Sequence, residues 1–291
     1  MSQPIAITGA NGNLGVRLIG LLGKDNVRAL VRSNRARQTL EQQYSNLDVR
    51  VVDYNDQASL TRELDGCSSV VHLVGILKET KQSRYSEAHE ESCTTLVSAA
   101  PDSLKKIIYL SIVGSRADHG NACLRSKGKA EDILLNSDLD AIVLQVPMVL
   151  GEGDYASASL KKNAQKPRVT VFRAASLEQP IYAGDVAAAI QASLSLTDSH
   201  RLCLAGPESL ARSELIKRAG RLRRQEVVVS SLPIGLGMMM AGLLELLPNP
   251  PVTRAMLGVL DHDDQVSSEE AIKLLNIELT SLDDMLAKVT L

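Results

Sequence analysis

The stretch Thr8-Gly9-Ala10-Asn11-Gly12-Asn13-Leu14-Gly15 decides the fold of this 291-residue chain. It follows an apolar run and precedes an amphipathic run that ends at Leu22, which predicts a strand, a glycine turn and a helix. Gly9 permits a tight turn, Gly12 keeps a Cβ away from an approaching pyrophosphate, and Gly15 lets the helix pack closely on the sheet. The N–H groups and partial positive charge of the helix start favour a phosphate. A lone glycine triplet is weak evidence, but this strand–turn–helix context predicts a dinucleotide site.

Short apolar runs alternate with longer polar stretches through the first 150 residues. Each polar stretch is long enough for a crossover helix, so the pattern predicts a doubly wound parallel sheet. Beyond Pro147 the pattern loosens, and a basic helix is predicted over 209–224. We therefore predict an α/β protein, with a parallel Rossmann domain over residues 1–150 and a smaller α/β lobe, interleaved with it, over residues 151–291. The predicted strands lie at 4–8, 27–31, 49–52, 70–74, 107–110 and 141–146, then at 169–172, 201–204 and 226–229.

Composition limits the function classes. The only aromatic residues are six Tyr and one Phe, so the core is expected to be aliphatic, as in buried parallel strands. Few aromatic faces and a net charge of -2 argue against nucleic-acid binding. The four cysteines are dispersed, without Cys-x-x-Cys spacing or a nearby His, so we expect reduced thiols and no metal site. We expect a cytoplasmic protein, since the first apolar stretch is a strand rather than a targeting segment.

The glycine spacing, with a leading Thr, resembles that of the extended and atypical short-chain dehydrogenase/reductase families, and the resemblance extends over nearly the whole chain. Those families place an acidic residue, here Asp53, beside the adenine ring. Lys127 and Glu131 match their Lys-x-x-x-Glu helix, and residues 180–187 resemble a segment ending Asp-Val-Ala that opens a later helix. The residues expected to contact the dinucleotide are Gly9, Asn11, Gly12, Asn13, Leu14, Gly15, Arg32, Asp53, Tyr54, Leu73, Val74, Gly75, Lys127 and Pro147.

The C-terminal part resembles one atypical branch of these families. Residues 247–254, Leu-Pro-Asn-Pro-Pro-Val-Thr-Arg, and then Leu260-Asp261 are similar to the tail of a branch related to the nucleotide-binding accessory subunit of respiratory NADH:ubiquinone oxidoreductase and its bacterial relatives. The resemblance implies either a dinucleotide-binding oxidoreductase or a non-catalytic accessory or assembly protein, which acts at a membrane respiratory complex or in quinone metabolism. A sugar-nucleotide epimerase is a weaker third hypothesis.

The choice of dinucleotide depends on the end of the second predicted strand. NAD-preferring sites usually carry an Asp or Glu about 20 residues beyond the glycines, where it accepts hydrogen bonds from the ribose hydroxyls. Here the strand ends in Arg32, and Arg35 and Arg37 follow. A guanidinium can donate two hydrogen bonds to a 2′-phosphate. We therefore predict that NADP(H) is preferred over NAD(H); in the alternative, Arg32 stacks on adenine or faces solvent.

The catalytic pair of the resembling families is incomplete in this chain. They use a Tyr four residues before the helix Lys, so that both side chains share one helix face and the Tyr passes the proton. Lys127 is present and is expected to hold the ribose and to relay a proton, but Cys123 occupies the Tyr position. A thiol is shorter than a phenol and does not reach the same point. Ser111, after the fifth strand, either binds a substrate oxygen or caps its strand.

Three explanations of the missing Tyr remain open. Another residue donates the proton, with Tyr155 and His119 as candidates; hydride transfer proceeds without that acid; or the dinucleotide is bound without turnover. His72 and His89 lie within the fold pattern and are predicted to be structural.

An apolar run from Leu232 to Leu247 is bracketed by Pro233 and Pro248. Its 16 residues fall short of the roughly 20 that span a bilayer. One interpretation is a buried helix over the substrate cleft. The other is a contact surface over residues 232–248 for a hydrophobic or quinone-like molecule, a membrane or a membrane complex, which would make the protein peripheral at the membrane. The three methionines at 238–240 suit such an adaptable surface.

Overall fold

The computed structural model describes residues 3–247, 250, 252–259 and 261–291. Residue 248 of the predicted contact surface lies outside the described residues, as do 249, 251 and 260 of the C-terminal segment that carries the branch resemblance. The elements are β1 (Ile5–Thr8), α1 (Asn13–Leu22), β2 (Val27–Val31), α2 (Asn34–Gln43), β3 (Asp48–Val51), α3 (Gln57–Leu64), β4 (Ser69–His72), α4 (Ser92–Ser98), β5 (Lys106–Ile112), α5 (Ala122–Leu135), β6 (Asp140–Val146), β7 (Val149–Leu150), α6 (Tyr155–Ala164), β8 (Arg168–Phe172), β9 (Leu177–Glu178), β10 (Ile181–Tyr182), α7 (Ala183–Ser193), β11 (His200–Cys203), β12 (Leu210–Ala211), α8 (Arg212–Leu222), β13 (Val228–Leu232), α9 (Ile234–Leu244), α10 (Arg254–Val259), α11 (Glu269–Leu275) and α12 (Leu282–Thr290).

Seven parallel strands form the central sheet in the order β11-β6-β5-β4-β1-β2-β3. The order reverses at β1, where Thr8 pairs with Leu30 of β2 and with His72 of β4. Loops diverge at such a switch point and leave a crevice at the carboxyl ends of the strands, where open α/β sheets bind ligands. The predicted doubly wound α/β fold is confirmed.

Alternating side chains of the central strands build two aliphatic layers. Ile7, Val71 and Ile108 pack against α1, α2, α7 and α11, whereas Ala6, Val70 and other residues of the opposite face pack against α3, α4 and α5. Helices cover both faces of the central sheet, which explains why its strands are continuous apolar runs in the sequence.

Residues after 150 contribute both to a third core and to the central sheet. Three short strand pairs, β7–β10, β8–β13 and β9–β12, lie with α6, α8 and α12 around a separate apolar cluster that includes Leu160, Leu215 and Met285. The strand β11 instead extends the central sheet beside β6. The central sheet is therefore completed by residues beyond position 150.

The C-terminal elements differ from the sequence predictions at their ends. The basic helix begins at Arg212 rather than at 209, because Leu210 and Ala211 pair with β9. The strand predicted over 226–229 lies over Val228–Leu232, since its pairing with β8 fixes the register. Helix α12 begins after Ser281, whose hydroxyl accepts the Asp284 N–H.

Helix α9 lies within the apolar run and is largely exposed. Only Gly237 and Ala241 are buried in it, so the hypothesis of a buried helix over the cleft is wrong. The surrounding elements contact one narrow side of the helix, where Gly237 approaches Phe172 and Leu257. Within the described residues, no helix combines the length and apolar character needed to cross a membrane.

Candidate functional site

The glycine turn between β1 and α1 has the conformation that the motif predicts. Gly9 has a φ of +67°, and its carbonyl accepts the Gly12 N–H at 3.0 Å. A Cβ at Gly15 would lie 2.5 Å from the Ala10 carbonyl oxygen, so the helix packs on the turn itself at a distance that only glycine allows.

The start of α1 is open to an anion. Asn11, Gly12 and Asn13 are exposed, no side chain caps the helix, and its first turn contains no acidic residue. N–H groups at a helix start have no partner within the helix and attract phosphate. This turn therefore fits the pyrophosphate of a dinucleotide.

Tyr54 holds the glycine turn in place through two hydrogen bonds. Its hydroxyl accepts the Gly9 N–H at 2.8 Å and donates to the Leu30 carbonyl at 2.7 Å. Burial raises the Tyr54 pKa to about 12, so the hydroxyl keeps the proton that this bridge needs. The sequence analysis predicted that Tyr54 contacts the dinucleotide, whereas in the structure its hydroxyl supports the glycine turn.

Four predicted cofactor residues line a small cavity of about 110 Å³ beside β2 and β3, namely Arg32, Asp53, Tyr54 and Val74. Arg32 is exposed at the end of β2. The Asp53 carboxylate accepts the Asn55 N–H at 3.0 Å, which shapes the turn after β3. The small cavity thus has the position at which these folds hold the adenosine half of a dinucleotide.

A larger cavity of about 610 Å³ opens at the carboxyl ends of β4, β5 and β6. It contains Leu73, Gly75, Lys127, Pro147 and Ser111, all of which were predicted as site residues, together with Tyr155. The other side chains of its wall are mostly apolar, among them Ile76, Leu110, Ile112, Val146, Met148 and Leu160. The glycine turn lies between the two cavities in the fold, because β1 is flanked by β2 and β4.

Lys127 is buried at the wall of the larger cavity. Its Nζ donates to the Leu110 carbonyl at 2.9 Å and lies 4.3 Å from the centre of the Tyr109 ring. A Cβ at Gly75 would lie 3.1 Å from Nζ, so the glycine leaves room for the ammonium group. Burial lowers the Lys127 pKa to about 8.

Ser111 is occupied by an internal partner. Its hydroxyl donates to Glu131, which is fully buried and also accepts from Gln145 at 2.9 Å. Arg201 forms an ion pair of 2.9 Å with the same carboxylate. The Ser111 proton is therefore used within the protein. Burial raises the Glu131 pKa, against the lowering effect of these bonds.

Cys123 cannot act from the Tyr position. Its side chain is 0% exposed, and its thiol lies 3.7 Å from the Ile76 carbonyl. It does not line the larger cavity, and burial raises its pKa to about 11, which keeps the thiol protonated. The residue at the Tyr position is thus inert.

The other candidate proton donors lie in different surroundings. Tyr155 lines the larger cavity but is 90% exposed. His119 does not line the cavity; its Nδ1 accepts the Asn121 N–H at 2.9 Å and supports the start of α5. Burial and nearby cations lower the His119 pKa, which disfavours a protonated donor there.

The histidines His72 and His89 are both buried. His72 Nδ1 lies 2.8 Å from the Thr8 hydroxyl. His89 lies in a π-helix over Ser86–Glu91, and its Nε2 accepts the Ile76 N–H at 3.1 Å. Burial lowers the pKa of each imidazole to about 3, so both stay neutral. His89 thus supports the segment after β4 that borders the larger cavity, and His72 links β4 to β1.

Sequence reasoning missed four ionisable residues of the larger cavity. Glu178 and Arg212 form an ion pair on its wall, and His262 and Asp264 form a second pair at 2.8 Å. These residues come from β9, α8 and the segment after α10, which fold onto the carboxyl end of the sheet. The sequence signal was weak: His262 and Asp264 come directly after Asp261, which is the last residue of the tail resemblance.

Residues 9–195 match the model of a protein family described as NAD(P)H-binding, and this match covers more than half of the chain. The chain belongs to this NAD(P)H-binding family. Its cofactor is accordingly a nicotinamide dinucleotide, in agreement with the open glycine turn.

Two relatives extend the comparison. A ceramide reductase of Caulobacter vibrioides is 27% identical over 193 residues, which cover 65% of this chain and 60% of that protein. The mitochondrial NADH dehydrogenase [ubiquinone] 1 alpha subcomplex subunit 9 of Arabidopsis thaliana is 24% identical over 301 residues, which cover 94% of this chain and 73% of the relative. The predicted resemblance to a respiratory accessory subunit is confirmed. The chain spans less than two thirds of the length of the ceramide reductase.

The fold is shared with a solved reductase. The structure of triphenylmethane reductase from a Citrobacter species aligns with a TM-score of 0.76 over 99% of each chain, at 18% sequence identity. At this identity the match supports the fold alone.

Proposed function

We propose that this protein is a reductase that uses NADPH to reduce a carbonyl group on an elongated, largely apolar molecule. The observation that carries the proposal is the larger cavity of about 610 Å³, whose apolar wall meets Lys127 at the carboxyl ends of the central strands. Small-molecule sites are typically apolar clefts of roughly this size with a few polar groups. A purely structural nucleotide site does not need such a cavity.

Two groups of residues are suited to the two ends of the dinucleotide. The turn over 9–15 is suited to the pyrophosphate, while Arg32, Asp53 and Tyr54 border the adenosine end. Lys127, with Gly75 and Pro147 beside it, is suited to the ribose next to the nicotinamide. The reduced dinucleotide supplies a hydride when bound. Lys127 is held by the Leu110 carbonyl at 2.9 Å and therefore presents its amine in one orientation.

The preference for NADPH rests on Arg32. Its side chain is exposed and lines the small cavity at the end of β2, where a guanidinium can meet a 2′-phosphate. The start of α2 lies next to it, with Ser33 capping the Ala36 N–H, and the positive end of that helix favours an anion as well.

The apolar wall favours a lipid-like or quinone-like substrate. Leu77 lines the cavity and is 57% exposed, and Lys78 donates to the Pro250 carbonyl at 3.0 Å, which connects the cavity margin to the segment after α9. Residues 236–247 expose large apolar side chains. A substrate that resides in a bilayer could enter here if the protein lies peripherally on the membrane, and the ceramide reductase named above is consistent with this substrate class.

One observation favours the alternative of a non-catalytic accessory or assembly protein in a respiratory complex or quinone metabolism. The residue at the Tyr position, Cys123, is buried and protonated. The match with the Arabidopsis subunit over 94% of this chain has the same implication. In this alternative the nucleotide stabilises the fold and is not turned over.

Substrate entry can be tested with two alanines of α6. Ala156 lines the larger cavity, whereas Ala158 is exposed on the same helix and does not line it. We expect the purified protein to oxidise NADPH with a long-chain methyl ketone or with decylubiquinone, and much more slowly with acetone. Ala156→Trp should abolish this turnover and retain nucleotide binding, and Ala158→Trp should leave both unchanged. Bound nucleotide that no ketone or quinone oxidises would favour the accessory protein, and equal rates in both variants would place the substrate outside the cavity.

A further inference from the structure

The segment after α10 contributes a histidine–aspartate pair to the larger cavity. His262 Nε2 lies 2.8 Å from Asp264 Oδ1. Asp264 is buried, while 33% of the His262 side chain remains exposed. The carboxylate therefore orients the imidazole, and the ring keeps a face toward open space.

Helix α10, which directly precedes this segment, packs on the start of α5, where the Tyr of the resembling families would lie. Asn121 Nδ2 donates to the Ala255 carbonyl at 2.9 Å, and a Cβ at Gly258 would lie 2.6 Å from that nitrogen. His262 also interacts electrostatically with His119, two residues before Asn121. The imidazole thus lies within electrostatic range of the residues that precede α5, the helix that carries Cys123.

Four other polar side chains of the cavity have internal partners, those of Lys127, Ser111, Glu178 and Arg212. The Lys127 amine donates to Leu110, and the Ser111 hydroxyl donates to Glu131. Glu178 and Arg212 are bonded to each other. His262 differs from them because its side chain bonds to a carboxylate that favours the protonated ring.

The charges around His262 come from three places. Asp264 and Asp263 belong to its own segment, Arg173 follows β8, and His119 precedes α5. The hydrogen bond with Asp264 raises the His262 pKa and outweighs burial and Arg173, which lower it. The imidazole therefore keeps its proton to a higher pH than an ordinary histidine does.

We infer that His262, oriented by Asp264, donates the proton to the carbonyl oxygen of the substrate in place of the missing phenol. This inference rests on the proposed function. The carbonyl carbon gains a hydride with its two electrons from the reduced dinucleotide, the C=O π bond breaks, and the oxygen takes the proton of the imidazolium. The products are an alcohol, the oxidised dinucleotide and a neutral His262, which regains a proton from water.

The protonation of His262 can be measured without turnover. The chain has five histidines, so a ¹⁵N-histidine sample of the full chain gives five sets of imidazole signals, and the His262→Gln variant assigns one of them. We expect this titration to lie above the ordinary histidine value and to fall in Asp264→Asn. A His262 that titrates at or below the ordinary value would overturn the inference.

The role in turnover is tested by pH profiles of NADPH oxidation with the long-chain methyl ketone. A general acid must be protonated, so the wild-type rate should fall as the pH rises through the His262 pKa, and in Asp264→Asn this fall should move to lower pH. His262→Gln should lose about 100-fold in rate and the pH dependence while still binding NADPH, whereas His200→Gln should match the wild type. Undiminished turnover in His262→Gln overturns the inference alone. A wild type that reduces no carbonyl overturns the proposed function and the inference with it.

Discussion

At the scale of single residues, we expect Arg32 to determine the choice of dinucleotide. Its exposed guanidinium lines the small cavity, and hydrogen bonds to a charged group contribute about 1.5–3 kcal/mol. We expect NADPH to bind more tightly than NADH by about this amount, and Arg32→Ala to remove the difference. Titration calorimetry with both nucleotides measures it. Arg62 is exposed on α3 and lines neither cavity, so Arg62→Ala is the control. Equal affinities of the wild type for the two nucleotides would contradict the assignment.

Lys127 is expected to favour ligand binding at the expense of stability. Its folded pKa of about 8 lies below the ordinary 10.5, so between these values the unfolded chain binds a proton that the folded chain does not, and stability rises with pH. Below pH 8 the buried charge lowers the free energy of unfolding by up to about 3 kcal/mol. A variant without the charge would also lose the hydrogen bond to Leu110, which offsets part of the gain in stability. Lys127→Met should therefore raise the free energy of unfolding near neutral pH by about 1–2 kcal/mol and weaken nucleotide binding about tenfold or more.

Lys129 supplies the control for this prediction. It is exposed on the same helix and pairs with Glu90 at 3.4 Å, and such surface pairs contribute little. Lys129→Met should change neither stability nor nucleotide affinity appreciably. Urea unfolding near neutral pH, with calorimetry for the nucleotide, gives both quantities. A Lys127→Met variant that binds NADPH as the wild type does would remove Lys127 from the ribose site.

At the scale of elements, α9 and the residues after it form an exposed apolar surface. The exposed fractions are 61% for Met239, 65% for Leu243 and 83% for Leu246. Contiguous exposed apolar surface on a soluble domain usually marks a contact site. The helix has 11 residues, so it is suited to lie in a membrane interface rather than to cross it.

Flotation with vesicles tests this surface. We expect the protein to float with vesicles of phosphatidylcholine and phosphatidylglycerol, and Leu243→Glu to release it, because a charge in the interface is costly. Leu274 is exposed on α11 at the other end of the chain's C-terminal region, and Leu274→Glu should float as the wild type does. Wild-type protein that stays with the unbound fraction would exclude this membrane contact.

At the scale of the whole molecule, the two neutral interior histidines make stability depend on pH. His72 and His89 have folded pKa values of about 3, below the ordinary 6.5, so the unfolded chain takes up protons first as the pH falls. Stability is therefore complete above pH 6.5 and is lost toward pH 3. Each group should contribute a loss of about 2 kcal/mol between about pH 7 and about pH 5.

Substitution of one histidine should reduce this loss. Gln at position 89 can still accept the Ile76 N–H but does not titrate, so His89→Gln should lower the loss between about pH 7 and about pH 5 by about 2 kcal/mol. His200 lies at the partly exposed start of β11, and His200→Gln should retain the wild-type loss. Denaturant unfolding at the two pH values gives the comparison. The same pH dependence in His89→Gln and the wild type would show that His89 does not remain neutral in the fold.

The sequence by itself determined the Rossmann sheet and the dinucleotide turn. Strand β2 was predicted with its observed bounds, because an apolar run is typical of a buried strand. The turn over 9–15 was predicted as a phosphate-binding turn, because its glycines stand where a Cβ does not fit. The absence of the Tyr from the Tyr–Lys pair, with Cys123 in its place, was also predictable from the sequence, since it depends on spacing along one helix.

Only the tertiary structure decided which distant side chains share the larger cavity. Ser111 and His262 are 151 positions apart in the chain, and both line one cavity, beside which α10 packs on the start of α5. The exposure of α9 was likewise undecided, because an apolar run is equally compatible with a core and with a contact surface until its neighbours are known. Local propensity carries no information about such long-range contacts, which depend on how the C-terminal elements close over the end of the sheet.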